Sequence, residues 1–344
     1  MNNKEEVLKN YDRWWKNFDF EKERRIFREK IKNAKAERVY IELTPRCNFN
    51  CTICGRDYAN LNYPDMSLDD FKNIESNLCE TIKIINFTGF GEASLNKNFE
   101  EILKYAKEKG YDIEHTSNGS IFNIENLKYI DQIAFSLDGI KKVKDIRKGI
   151  SNKTINTIKE SVIFKKRNNL KTKILINMVL SFENIDEVGE MFNFCDENNI
   201  DHLDIVTFVN TPSLYGTELF NKFEEIIKKN LNVIDYEKIV NLYVKKDYNF
   251  SLMIGYPRKT LKGMCVFPFR DFQIDAEGNL ILCCRTQANS TKFGNLKEEK
   301  MCSILDKKEI KYIKKAHLED LPFKVCDICS IGYPIEKKKN FNEF

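Results

Sequence analysis

The sequence predicts an α/β protein built on a parallel sheet and followed by a small second domain. Strand-like and helical patterns alternate about six times between residues 38 and 209, which is the signature of right-handed βαβ units. From about residue 236 that rhythm breaks into a hairpin and a Lys-rich helix. A length of 344 residues allows two domains at roughly 100–200 residues each.

Residues 1–36 are charged, with Trp14, Trp15, Phe18, Phe20 and Phe27 punctuating a helical pattern, and read as a docking extension. RVYIELT (38–44) is a buried strand that ends at a triple-Cys loop. MSLDDFKNIESNL (66–78) is a helix with Ser67 as N-cap. IKIINFTG (82–89) is a strand, NFEEILKYAKEKG (98–110) a helix closed by Gly110, and YDIEHTS (111–117) a strand. IDQIAFSLDG (130–139) is a strand and KTINTIKESVIFKKRNN (153–169) a helix. The series ends with strand KTKILINMVLS (171–181), helix IDEVGEMFNFCDENN (185–199) and strand HLDIVTFV (202–209). Functional residues in such sheets gather at the carboxyl ends of the strands. Residues 236–264 read as a connector with weak strand character. RDFQIDAEGNLILCC (270–284) is a hairpin turning at Glu277–Gly278, a Lys-rich helix covers about 297–316, and 335–344 is a frayed tail.

Lys plus Arg number 56 and Asp plus Glu 52, a net charge of +4, so the totals point to no nucleic-acid partner. No apolar stretch approaches the roughly 20 residues of a membrane span, and MNNKEEVLKNYDRW is too charged for a secretory signal. The expectation is a cytoplasmic protein whose thiols stay reduced.

Its 11 cysteines are too many for accidental core residues and poorly suited to a closed disulfide framework. Cys47, Cys51 and Cys54 crowd one loop in C-x3-C-x2-C spacing, with no fourth Cys or His nearby. Zinc sites usually answer one close pair with another. Three thiolates suit a cubane iron–sulfur cluster that leaves one iron open to a small molecule. Cys265 with Cys283, then Cys326 with Cys329, form a second group of four, for which a zinc staple is the alternative to a cluster. Cys79, Cys195 and Cys302 lie in helical patterns and read as core residues.

These motifs resemble those of the radical S-adenosylmethionine (SAM) superfamily. CNFNCTIC (47–54) matches the cluster loop after the first strand, with Ile53 where an aromatic is common. TGFGEAS (88–94) stands where the family has its GGEP motif, with Ala93 replacing Pro. TSNG (116–119) and SLDG (136–139) resemble the endings of the third and fourth strands. Cys265-x12-Gly278-x4-Cys283 followed by the 326–329 pair resembles a twitch domain, a shortened SPASM domain with one auxiliary cluster. Together they resemble the butirosin-pathway aminocyclitol dehydrogenase type.

The resemblance implies a partial (β/α)6 barrel at 37–235, a twitch domain at 265–334, SAM, and two [4Fe–4S] clusters. It places one open cluster on Cys47, Cys51 and Cys54 and a closed one on Cys265, Cys283, Cys326 and Cys329. Gly89 and Gly91 would let the backbone approach SAM, and Glu92 would accept from the methionine ammonium. Ser117 and Ser136 would bond the ribose or the methionine carboxylate, which Arg147 would also meet. Arg56 and Asp57 face either SAM or substrate, and Asp138 shapes the turn with Gly139. His115 and His202 occupy strand positions and could line the pocket, with a structural role as the first reading, and His317 reads as structural.

The implied reaction is reductive cleavage of SAM, fed by a donor such as flavodoxin or ferredoxin. Hydrogen abstraction from a sugar or aminocyclitol follows, with oxidation of a hydroxyl as first choice. Epimerisation, with Cys284 as hydrogen donor, and maturation of a ribosomal peptide are rivals. A non-catalytic iron–sulfur or zinc protein is the reading from another class.

Overall fold

The computed structural model describes residues 3–56, 61–141, 152–210, 216–256, 265–283 and 292–319. Helices α1 (Asn3–Tyr11) and α2 (Phe20–Ile31) come first. Then follow β1 (Arg38–Ile41), α3 (Leu68–Ser76), β2 (Ile84–Phe87), α4 (Phe99–Glu108), β3 (Asp112–Ser117) and β4 (Gln132–Ser136). The next elements are α5 (Asn152–Arg167), β5 (Lys173–Leu180), α6 (Val188–Glu197) and β6 (His202–Thr207). After them come α7 (Glu218–Val233), α8 (Tyr236–Val244) and β7 (Ser251–Ile254). The last are β8 (Asp271–Ile274), β9 (Asn279–Ile281), β10 (Lys292–Asn295), α9 (Met301–Leu305) and α10 (Lys308–Glu319).

Alternation within the strands separates two faces. Val39, Ile85, Ile113, Ile133, Ile176 and Leu203 have 0% exposure and share one core with Phe71, Ile102 and Phe192 of the helices. Their neighbours Tyr40, Asn86, Glu114, Asn177 and Asp204 are half-buried and point to the opposite face, the barrel lumen. Strands β1 to β7 pair in parallel, as the partial barrel requires. The Ser67 cap at the start of α3 is present as a full capping box with Asp70.

Four sequence readings change. The stretch at 236–264, read as a connector, contains a helix and a seventh parallel strand, because Tyr236, Ile239, Val240 and Tyr243 bury one face of α8. The sequence reading assigns no element to 210–235, yet α7 lies there, capped by Thr217, which accepts from Phe220 N at 3.1 Å. The Lys-rich helix at 297–316 is two helices broken at Asp306–Lys307. Finally, Cys79 and Cys302 form a disulfide across 223 residues, with Cα atoms 5.7 Å apart. Neither is an isolated core residue. Met301 N donates to Asn77 O at 2.8 Å and Asn77 Nδ2 to Leu296 O at 2.8 Å, so one hydrogen-bonded seam through Asn77 brings both sulfurs together. Cys195 is buried in α6, as expected.

The second domain does not hang apart. Strand β8 pairs in parallel with β1, β9 and β10 follow antiparallel, and the ten strands among the described residues form one sheet. An exposed β1 edge would offer unpaired backbone groups, and β8 satisfies them. At the opposite edge α1 lies on β7, where Leu252 N donates to Asn3 Oδ1 at 3.3 Å. Trp15 packs on Tyr236 with ring centroids 4.8 Å apart. Among the described residues no helix is long and apolar enough to cross a membrane.

Candidate active site

The carboxyl end of β1 delivers the chain into the triple-Cys loop. Asp65 Oδ1 accepts from Thr44 Oγ1 at 2.6 Å and from Arg46 Nε at 3.0 Å. Burial alone would raise the Asp65 carboxyl, but these bonds outweigh it and hold it below the usual carboxylate range. Arg56 clamps the loop, donating to the carbonyls of Cys47 at 3.0 Å and Phe49 at 3.2 Å. A turn from Cys54 N to Cys51 O, at 3.0 Å, gathers the last two thiols.

The Cys47 sulfur accepts from Phe49 N at 3.4 Å and Asn118 Nδ2 at 3.8 Å. N–H donors aimed at sulfur stabilise a thiolate, so the loop fits an iron–sulfur cluster. Among the described residues no three Cys, His, Asp or Glu side chains converge to hold a single metal ion. A cubane takes one thiolate per iron and needs no such convergence. Cys265 and Cys283 are half-buried on either side of the β8–β9 hairpin. Arg147, Cys284, Cys326, Cys329 and Asp57 lie outside the described residues.

The loop after β2 packs against the same strand end. Glu92 N donates to Arg46 O at 2.8 Å. A Cβ on Gly91 would lie 1.9 Å from Thr44 O, so only glycine fits there. Gly89 and Gly91 thus let the backbone approach β1 and its loop, a requirement internal to the protein. Glu92 is 3% exposed and accepts from Ser117 Oγ at 2.9 Å and Asn118 N at 2.7 Å. Glu92 and Ser117 therefore meet, but each is bonded to the other. Asn118 Nδ2 continues to Asn48 Oδ1 at 2.9 Å, tying the TSNG turn to the cluster loop.

Ser136 lies on the lumen side, paired in register with Asn177, which is paired with Asp204. Asn177 and Asp204 were not singled out in the sequence, because only the register between strands sets them level with Ser136. His202 lies beside this row, with Nε2 3.3 Å from Asp204 Oδ1 and Nδ1 2.5 Å from Ser251 Oγ. Asp138 Oδ1 accepts from Val179 N at 2.8 Å, which makes it a turn residue. Ile53 and Val179 both pack against Phe208, Leu219 and Phe223, an apolar cluster over the ends of β5 and β6.

His115 faces the helices, its Nδ1 2.8 Å from Phe87 O and its Nε2 4.0 Å from Glu92. Burial pushes its pKa down, against the opposing Glu92 charge, and burial does the same to His317. Both are neutral when folded but take a proton near pH ~6.5 when unfolded. Stability is therefore complete above that pH and is lost as pH falls toward the depressed folded values. Denaturant midpoints should drop between pH 7.5 and 5.5, by at most about 1.4 kcal/mol per pH unit and group. His115→Gln should flatten that slope.

Residues 41–195 match the radical SAM superfamily, and residues 265–330 match the SPASM iron–sulfur cluster-binding domain. The chain belongs to the radical SAM superfamily. It is a radical SAM enzyme, with SAM and two [4Fe–4S] clusters as its cofactors. It is 23% identical over 324 residues to the tungsten-containing aldehyde ferredoxin oxidoreductase cofactor-modifying protein of Pyrococcus furiosus, spanning 85% of this chain and 87% of that one. Its fold resembles that of Streptococcus suis SuiB, solved bound to the precursor peptide SuiA, with a TM-score of 0.60 and 18% identity over 89% of this chain and 73% of that one. It also resembles BtrN in complex with AdoMet and 2-DOIA, with a TM-score of 0.50 and 14% identity over 83% and 87% of the two chains. These structural likenesses concern the fold.

Proposed function

We propose that this radical SAM enzyme abstracts hydrogen from a polar small molecule in the barrel lumen, a sugar or aminocyclitol, and oxidises one of its hydroxyls. The observation that carries this reading is the lumen row Ser136, Asn177 and Asp204, with His202 beside Asp204. The amide and the carboxylate, in register beside the Ser136 hydroxyl that would face SAM, offer donors and acceptors at the spacing of neighbouring strands, which suits a polyhydroxylated ring.

Cys47, Cys51 and Cys54 would hold the SAM-binding cluster, and Cys265, Cys283, Cys326 and Cys329 the auxiliary one. Gly89, Gly91 and Glu92 would line the methionine, Ser117 would brace Glu92, and Ser136 and Arg147 would meet the ribose or carboxylate. When bound, the cofactors supply a 5′-deoxyadenosyl radical and, at the auxiliary cluster, an acceptor for the second electron. Asp204 Oδ1, with His202 Nε2 as its neighbour, would take the hydroxyl proton as the carbonyl forms. Ile53 and the Phe208 cluster would exclude water from the adenine side.

The test is incubation with dithionite, SAM and candidate substrates deuterated at carbinol positions. Deuterium in 5′-deoxyadenosine together with a ketone product is the expected result. Transfer from a peptide, or return of a solvent hydrogen with inverted configuration, would overturn the oxidation. With the substrate in hand, Asp204→Asn should lower ketone formation about 100-fold while deuterium still reaches 5′-deoxyadenosine.

A further inference from the structure

Glu42 closes β1 on the lumen side, directly before the cluster loop, and is only 1% exposed. A carboxylate buried this deeply is costly unless hydrogen bonds compensate it. Its Oε1 accepts from Phe90 N at 2.6 Å and from Gly91 N at 3.4 Å, and its Oε2 accepts from the Tyr63 hydroxyl. A Cβ on Gly89 would lie 2.4 Å from Glu42 Cγ and Oε1, so the glycine leaves the space this carboxylate occupies. One side chain thus receives consecutive amides of the loop and fills the room beside a third residue of it.

We infer that Glu42, held by Tyr63, is a positioning residue for SAM: it fixes the 89–92 loop in the conformation that lines the methionine. The inference rests on the proposed role of that loop. Glu42 acts through the backbone and need not touch the cofactor. A loop closed only by Glu92 N on Arg46 O would be anchored at one end, and Glu42 anchors its middle. One oxygen in this geometry suffices for the amides, and the other side-chain atom needs only to pair with the Tyr63 hydroxyl. Gln at position 42 keeps an oxygen for Phe90 and Gly91 and turns its NH2 to the Tyr63 oxygen.

Equilibrium SAM binding and iron content of the reconstituted protein, with amide hydrogen exchange of the cluster-free chain, test this. Glu42→Ala should raise the SAM dissociation constant at least tenfold, leave iron content unchanged, and speed exchange at Phe90 and Gly91. Glu42→Gln should restore affinity to within about threefold, which loss of packing alone would not allow. Tyr63→Phe should give an intermediate loss of affinity and decides the matter where Glu42→Ala does not fold. Unchanged SAM affinity in Glu42→Ala, or in Tyr63→Phe where Glu42→Ala does not fold, overturns the inference, as does failure of Glu42→Gln to restore it. Glu92→Gln is the control: if it weakens SAM binding while Glu42→Ala does not, the clamp alone is wrong. If neither variant changes affinity, the assignment of the loop to SAM is wrong and the clamp goes with it.

Discussion

Cys51→Ala is expected to abolish reductive cleavage of SAM and to lower iron from about eight to about four per chain, the content of one remaining cubane. The expectation follows from the loop. Cys51 is the middle thiol, and the turn from Cys54 N to Cys51 O carries the third thiol into place. Alanine removes one of three protein ligands and leaves that turn standing, so folding of the barrel should survive. Anaerobic reconstitution, iron and sulfide analysis, and detection of 5′-deoxyadenosine with dithionite measure the result. Cleavage persisting in the variant would refute the assignment of the loop. The auxiliary group provides an internal reference, because Cys265 and Cys283 flank a hairpin on the far side of β1.

The second large effect is expected at Gly91. Its added Cβ would meet Thr44 O at 1.9 Å and Arg46 O at 2.8 Å, both backbone atoms that no rotamer change can move aside. Relief requires the loop to part from β1, which breaks the 2.8 Å bond from Glu92 N to Arg46 O. Overpacking typically costs 1–3 kcal/mol, and a backbone collision belongs at or above about 3 kcal/mol. Gly91→Ala should therefore shift the denaturant midpoint strongly and raise the SAM dissociation constant by more than tenfold. Gly89→Ala collides with the Glu42 side chain instead, which can be displaced only by giving up its bonds to Phe90 N and Gly91 N, so it should cost less than displacing the backbone of β1 and its loop. Equal losses in the two variants would contradict this ranking.

The barrel was legible because strand and helix periods repeat over long stretches, and the order of β1 to β6 along the chain follows from them. The cluster loop was legible because three cysteines on eight residues (47–54) leave few chemical alternatives. Strand β7 showed only as weak strand character in a connector, because SLMI is four residues long. It is a strand because β6 offers it a partner edge. Helix α7 showed a cap at Thr217 and an amphipathic run, a local signal left unused. The Cys79–Cys302 disulfide had no local signal, since its partners stand 223 residues apart.

Glu42 shows the same division within the site. Its place at the end of a strand was plain, but its role is defined by amides at Phe90 and Gly91, 48 and 49 residues away. The sequence by itself determined the chemistry: thiols at cluster spacing, glycines in a loop, and polar residues at strand ends. Those depend on residue type and short spacing, which the chain carries locally. Only the tertiary structure decided that the second domain continues the sheet from β1, that Glu92 pairs with Ser117, and that Ser136, Asn177 and Asp204 share a row. Each of these is a contact between distant segments, set by strand register and packing, and no local pattern encodes a register.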